Sequence, residues 1–370
     1  MKKIAAILMP IFIIMTMLSG CSANHADNGQ LSIICTSFAA YDWTCEIAGI
    51  TQAGDAKNSS AHSLNIIMLP DSGADLHSYQ ATAQDIVNIS SCDMIVRTGG
   101  VSEKWIDEAL KENAKTKAVN FLQLLGTNAL KTDHTDHGHD NVLGGIESET
   151  DEHAWLSLKN AIVFCDAIAS ALIELDPNNA DTYRENLKLY TENLRDIDAR
   201  FESTVKQSEK NTLIFADRFP FRYLVNDYKI ECFAAFPGCS TETETSFDTV
   251  IFLAGKVDSL QLNYIMTIDN SQSSIAKTVL KNTKRKNVQI LTLDSMQSCG
   301  KKDYDSGKRY ISVMEKNLET IKTALSGDSK LSLIHIFGSR MSGGAQTDFG
   351  AYKTALFHAG SRRVPASAGT

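Results

Sequence analysis

Several signatures that would point to a particular chemistry are missing from this chain. Its eight cysteines (positions 21, 35, 45, 92, 165, 232, 239 and 299) include no Cys-x-x-Cys pair, which removes zinc-ribbon and thioredoxin-type readings. Cys21 falls in the leader, and the seven that remain are odd in number and irregularly spaced. They do not read as a disulfide framework, although one or two bridges have room to form. His-Glu-x-x-His is absent too, and with it the helical pattern of a zinc hydrolase. There is no excess of positive charge: 36 basic residues face 44 acidic ones, a net −8. That balance argues against nucleic acid as a partner and suits the capture of cations. The longest apolar run, residues 4–18, is too short to span a bilayer comfortably.

That run belongs to a leader. Lys2 and Lys3 precede it and Leu18-Ser19-Gly20-Cys21 closes it, the layout of a secretory signal. The closing four residues resemble the bacterial lipobox, whose cysteine is diacylated and becomes the mature N-terminus. Cys21 is thus a lipidation site, followed by a polar tether to residue 30. Acyl chains contribute about 0.8 kcal/mol per buried methylene, enough to hold a protein at a membrane surface. At the other end, Leu331-Ser-Leu-Ile-His-Ile336 resembles the translation of a transposon-end sequencing adapter, and apolar periodicity is lost afterwards. Residues 327–370 are therefore expected to be a non-native, disordered tail. The tail carries five basic and two acidic side chains and the leader two lysines, which leaves −13 on residues 21–326.

At 370 residues, 43% hydrophobic and 22% charged, the chain can hold two soluble domains of ordinary size. Short apolar strands alternate with helices. Strands are expected at 31–35, 64–69, 92–96 and 117–121, with helices at 41–49, 81–89 and 103–112. Asp176-Pro177 is a helix start, and Tyr183, Leu187, Tyr190, Leu194, Ile197 and Phe201 then recur at 4-3-4-3-4 spacing. This is the apolar stripe of one helix of roughly 30 residues, about 45 Å long. The alternation resumes with strands at 212–216, 264–268 and 288–293 and helices at 246–257, 275–283 and 310–325; residues 233–244 read as a loop. The expected fold is α/β: two lobes, each a parallel sheet flanked by helices, joined by one long spine helix. The division is a signal at 1–20, a tether at 21–30, a first lobe at 31–168, a spine region at 169–208 and a second lobe at 209–326.

The most unusual stretch is 131–158. His134, His137 and His139 alternate with Asp133, Asp136 and Asp140, and Asp151-Glu152-His153-Ala154-Trp155 follows. Such a segment has no apolar face and suits a solvated loop. Neutral imidazole is the commonest ligand of borderline metals, and adjacent carboxylates concentrate cations, so metal handling is the reading. A lone histidine would be a plain loop residue; this density is not. His77 follows the strand at 64–69, and Asp217 and Asp294 follow later strands, where open α/β sheets bind ligands. Each alone could be an ordinary turn or cap residue.

These residues also resemble a known family. Over about residues 18–326 the chain is similar to the solute-binding lipoproteins of zinc and manganese ABC importers, whose two lobes are joined by a rigid helix. The likeness rests on Cys21, on Asp75-Leu76-His77-Ser78-Tyr79, on Val101-Ser-Glu-Lys-Trp105, on the His-rich loop, on Asp151-Glu-His153-Ala-Trp155 and on Asp176-Pro-Asn-Asn-Ala180. It implies four metal ligands, two from each lobe. By motif, the first two are His77 and His153. The third lies just before a Phe-x-Tyr run, here Phe221-Arg222-Tyr223, and strict spacing lands on Arg218, which only donates and cannot ligate. Asp217 is then the expected ligand, with Glu242 or Glu244 as substitutes, and Asp294 is the fourth. The set suits Zn²⁺, with Mn²⁺ as the alternative. His134, His137 and His139 become an auxiliary capture loop. The resemblance further implies a monomer that is not an enzyme, anchored by Cys21 on the extracytoplasmic face of the bacterial membrane, delivering metal to an ABC permease. A surface adhesin or a metal buffer could use the same site. A zinc hydrolase would need an open coordination position and a nearby base.

Overall fold

The computed structural model describes residues 30–50, 64–70, 73, 75–111, 113–132, 149–236, 238–239 and 245–327. Cys21, His134, His137, His139, Glu242, Glu244 and the tail from 328 lie outside them.

The first half folds as β1 (Leu31–Cys35), α1 (Phe38–Ala48), β2 (Leu64–Met68), α2 (Ala83–Ser91), β3 (Met94–Arg97), α3 (Lys104–Lys111), β4 (Lys117–Asn120) and α4 (Phe121–Leu125). The four strands are parallel, in the order β2-β1-β3-β4. Ile33 and Ile34 of β1 and Ile95 and Val96 of β3 are fully buried, as continuous apolar runs in a sheet covered on both faces must be. Two long helices follow, α5 (Leu158–Leu175) and α6 (Ala180–Gln207). The second half repeats the plan with β5 (Thr212–Phe215), α7 (Arg222–Tyr228), β6 (Glu231–Ala234), α8 (Phe247–Ser259), β7 (Tyr264–Ile268), α9 (Ser274–Asn282), β8 (Gln289–Leu293), α10 (Lys301–Asp305) and α11 (Tyr310–Leu325). Its sheet is also parallel, in the matching order β6-β5-β7-β8.

The spine is α6, 28 residues and so about 42 Å long. Tyr183, Tyr190, Leu194, Ile197 and Phe201 are its buried face, with Leu187 partly buried against the same core. That core is shared: Trp43 of α1, Phe164 of α5, Phe201 of α6, Phe221 beside α7 and Tyr310 of α11 belong to one apolar cluster running through both lobes. Smaller clusters cover the outer face of each sheet, around Ile34 and Ile95 in one and Ile214 and Ile265 in the other.

Two departures from expectation stand out. Strand β6 lies partly inside the stretch read as a loop. It is an edge strand of only four residues, paired on one side, so its periodicity is too short to register. The short helices α7 and α10, only seven and five residues long, likewise carry no clear periodicity. The seven described cysteines are all free thiols, so no bridge forms among them.

Candidate metal centre

The chain leaves β2 and reaches a 3₁₀ turn, Leu76–Ser78, capped by Asp75, whose Oδ1 accepts the His77 backbone N–H at 3.0 Å. This places the imidazole at the carboxyl end of the first sheet. His77 Nδ1 lies 3.0 Å from Ser102 Oγ and 3.9 Å from Glu152 Oε2. The loop that carries Ser102 approaches so closely that a side chain on Gly100 would meet the Glu152 carboxylate at 2.5 Å, and Gly100 itself has φ +96. Only glycine fits there without strain.

His153 enters from another segment. Asp151 Oδ1 accepts from its backbone N–H and pairs with its Nδ1, both at 2.9 Å. The following 3₁₀ turn, Ala154–Leu156, is pinned to the second lobe, since the Trp155 indole donates to the Ser295 carbonyl at 3.0 Å and Tyr310 Oη donates to the Trp155 carbonyl at 2.6 Å. With each Nδ1 engaged by an outer partner, both histidines turn Nε2 to the same point, 2.9 Å apart. A carboxylate behind a ligating imidazole fixes its tautomer and raises its basicity, the arrangement metal-binding histidines use.

The third group is Cys239, from the loop beyond β6. His77, His153 and Cys239 place their ligand atoms within 4.8 Å of one another. One tetrahedral ion, with bonds of about 2.0–2.3 Å, holds donors roughly 3.5 Å apart, so small adjustments let the three share it. They line a cavity of about 220 Å³ together with Ser102, Thr132 and Glu149. Thr132 and Glu149 are the described ends of the His-rich loop, joined by a Thr132 N–H to Glu149 carbonyl bond of 2.8 Å.

The electrostatics favour a bound cation. Burial raises the Cys239 thiol pKa, but His153 and then His77 outweigh it and bring it down from 9.0 to about 7. Burial of His153 opposes its charged form, yet Cys239 and Asp151 hold its pKa well above 6.5. A divalent ion would take the place of the proton on His153 Nε2.

His77 and His153, named from the sequence, thus come together; Asp217 and Asp294 do not join them. Among the described residues, the metal-competent group is His77, His153 and Cys239. Asp217 is buried beside a different cavity of about 530 Å³, lined also by Asn270 and Gln272, and its Oδ1 accepts its neighbour's N–H from Arg218 at 2.9 Å. From that loop it is Arg218 that reaches across to the first lobe, pairing with Asp75 Oδ2 at 3.0 Å. Asp294 Oδ2 pairs with Lys308 at 2.6 Å and its Oδ1 accepts from the Met296 N–H at 2.9 Å, so one oxygen serves the turn after β8 and the other holds the segment beyond α10. Cys239 falls outside the residues singled out from the sequence, where cysteines bear only on bridges and Cys-x-x-Cys motifs. The available signal was its place in the strand-end loop already read as ligand-bearing for Glu242 and Glu244.

Fold and site together define a two-lobed α/β protein with a metal-competent cluster drawn from both lobes. The family model of ZnuA, the periplasmic zinc-uptake complex component A, matches residues 33–324, and the chain belongs to that family. The zinc-binding lipoprotein AdcA of Streptococcus pneumoniae is 29% identical over 328 residues, covering 87% of this chain and 61% of that protein. The chain therefore spans about three fifths of that relative's length. The high-affinity zinc uptake system protein ZnuA of Bacillus subtilis is 25% identical over 297 residues, 80% of this chain and 88% of the relative. Among solved structures, the Zn(II)-bound ZnuA-like domain of Streptococcus pneumoniae AdcA superposes with a TM-score of 0.61 at 26% identity, covering 80% of this chain and 99% of that one.

Proposed function

We propose that this protein is the extracytoplasmic solute-binding component of a zinc ABC importer, holding one Zn²⁺ between its lobes through His77, His153 and Cys239. The observation that carries the reading is the convergence of two imidazole Nε2 atoms and one thiol within 4.8 Å, with both Nδ1 atoms held from behind. Two imidazoles and a thiolate are borderline-to-soft donors, which suit zinc better than manganese. Zinc is cargo here, and the protein's residues bind and release it without bond chemistry. Family membership and the names of the relatives support the transport role. Anchorage through Cys21, a permease partner, a monomeric state and the lobe boundaries near residues 168 and 209 belong to the same proposal. Among the described residues no helix is long and apolar enough to cross a membrane.

The test is a zinc titration of metal-stripped protein against a chromophoric chelator. His77→Ala, His153→Ala and Cys239→Ala should each lose the tight equivalent, while Asp217→Ala and Asp294→Ala should keep it. Loss in either aspartate variant with retention in Cys239→Ala would return the site to the carboxylates.

A further inference from the structure

Three donors leave one position of a tetrahedral ion to fill, and the turn after β8 brings an amide oxygen beside His153. Gln297 is 6% exposed, and its Oε1 stands 3.3 Å from His153 Nε2. The hydrogen-bond network decides which end of the amide faces the histidines. Ser295 Oγ donates to Asp269 Oδ1 at 2.6 Å, so it can only accept from the Gln297 Nε2 that lies 3.1 Å away. The relay from Asp269 through Ser295 thus draws the amide nitrogen away from the cluster and turns the carbonyl oxygen toward it. The same turn is clamped to the His153 segment by the Trp155 indole on the Ser295 carbonyl.

We infer that Gln297 Oε1 is the fourth ligand of the bound divalent ion. The inference rests on the reading of His77, His153 and Cys239 as the site. It gives each lobe two donors and makes Cys239 the one anionic group in the set, so a bound Zn²⁺ keeps a net positive charge. An amide oxygen is a weaker donor than a carboxylate. The position therefore sets both affinity and discrimination: a carboxylate there would strengthen binding and favour harder ions such as Mn²⁺.

The experiment uses the full chain, stripped of metal, as wild type, Gln297→Ala and Gln297→Glu. Cobalt(II) absorption reports thiolate ligation through the sulfur-to-metal charge-transfer band, and chelator competition gives Zn²⁺ and Mn²⁺ affinities. All three proteins should show the band. Gln297→Ala should bind Zn²⁺ at least roughly tenfold more weakly, the scale on which a single group of a metal's ligand shells is felt. Gln297→Glu should bind Mn²⁺ at least about tenfold more tightly. If the band is present but both variants stay within twofold of wild type for both ions, the oxygen is not a ligand. Should Gln297→Ala melt earlier without metal, the near-isosteric Gln297→Glu decides, and an unchanged Mn²⁺ affinity overturns the inference. A wild type with no band and no tight zinc would instead sink the underlying site reading.

Discussion

Replacing Asp42 with asparagine should change how stability responds to pH. Asp42 lies in α1 with no exposed surface, at the junction of the first lobe, the spine and α11. Its Oδ2 accepts from the Tyr310 N–H at 3.1 Å and from Tyr190 Oη at 3.2 Å, while Arg309 Nε stands 3.8 Å from Oδ1. Burial, reinforced by Glu46, outweighs those partners and pushes its pKa from 3.8 up to about 7. Between these values the native protein holds a proton that the unfolded chain has released. Stability from this group is therefore greatest at low pH and falls as pH rises through that window. From pH 5 to 8 the loss accrues mainly over the two pH units below the native pKa, at about 1.4 kcal/mol each, or roughly 3 kcal/mol in all. That is a large fraction of the 5–15 kcal/mol typical of a domain. Asparagine can still accept both hydrogen bonds but does not titrate. Urea unfolding at pH 5 and pH 8, followed by the fluorescence of buried Trp43 and Trp155, should show Asp42→Asn gaining on wild type by about that amount as pH rises. Glu103, also raised by burial and not coupled to Asp42, gives a slope of the same sign in both proteins and cancels in the comparison. A difference between mutant and wild type that is equal at the two pH values would refute the reasoning.

Two further outcomes follow from contacts around the metal centre. Arg218→Ala removes the 3.0 Å ion pair to Asp75, the residue that also caps the His77 turn. Since the pair is partly exposed and worth about 1 kcal/mol, zinc should leave roughly fivefold faster in a stopped-flow chelator chase, and an unchanged off-rate would show that the pair does not hold the lobes. Gly100→Ala puts a methyl where the Glu152 carboxylate lies and forces alanine to φ +96. It should cost about 1–3 kcal/mol of stability and weaken zinc binding by displacing the groups behind His77; a variant with wild-type melting and affinity would contradict that account.

The architecture is legible in local patterns of residues. Strand runs such as 31–35 and 264–268, and the 4-3 spacing from Tyr183 to Phe201, are local patterns, and burial of both sheets and of one helix face follows from them directly. Local patterns also supplied His77 and His153, because each sits in a short motif whose neighbours, Asp75 and Asp151, bond to it within two residues. The second lobe's part in the candidate site depends instead on packing. Asp217, Arg218, Cys239, Asp294 and Gln297 all lie in loops past strand ends, and nothing local distinguishes a ligand from a latch or a turn residue. The choice is made by which loop faces the first lobe once the shared core has packed. Arg218 then meets Asp75, Asp294 meets Lys308, and Cys239 meets the two histidines. Those are contacts between residues as many as 162 positions apart, His77 and Cys239, and a sequence pattern with a reach of three or four residues cannot encode them.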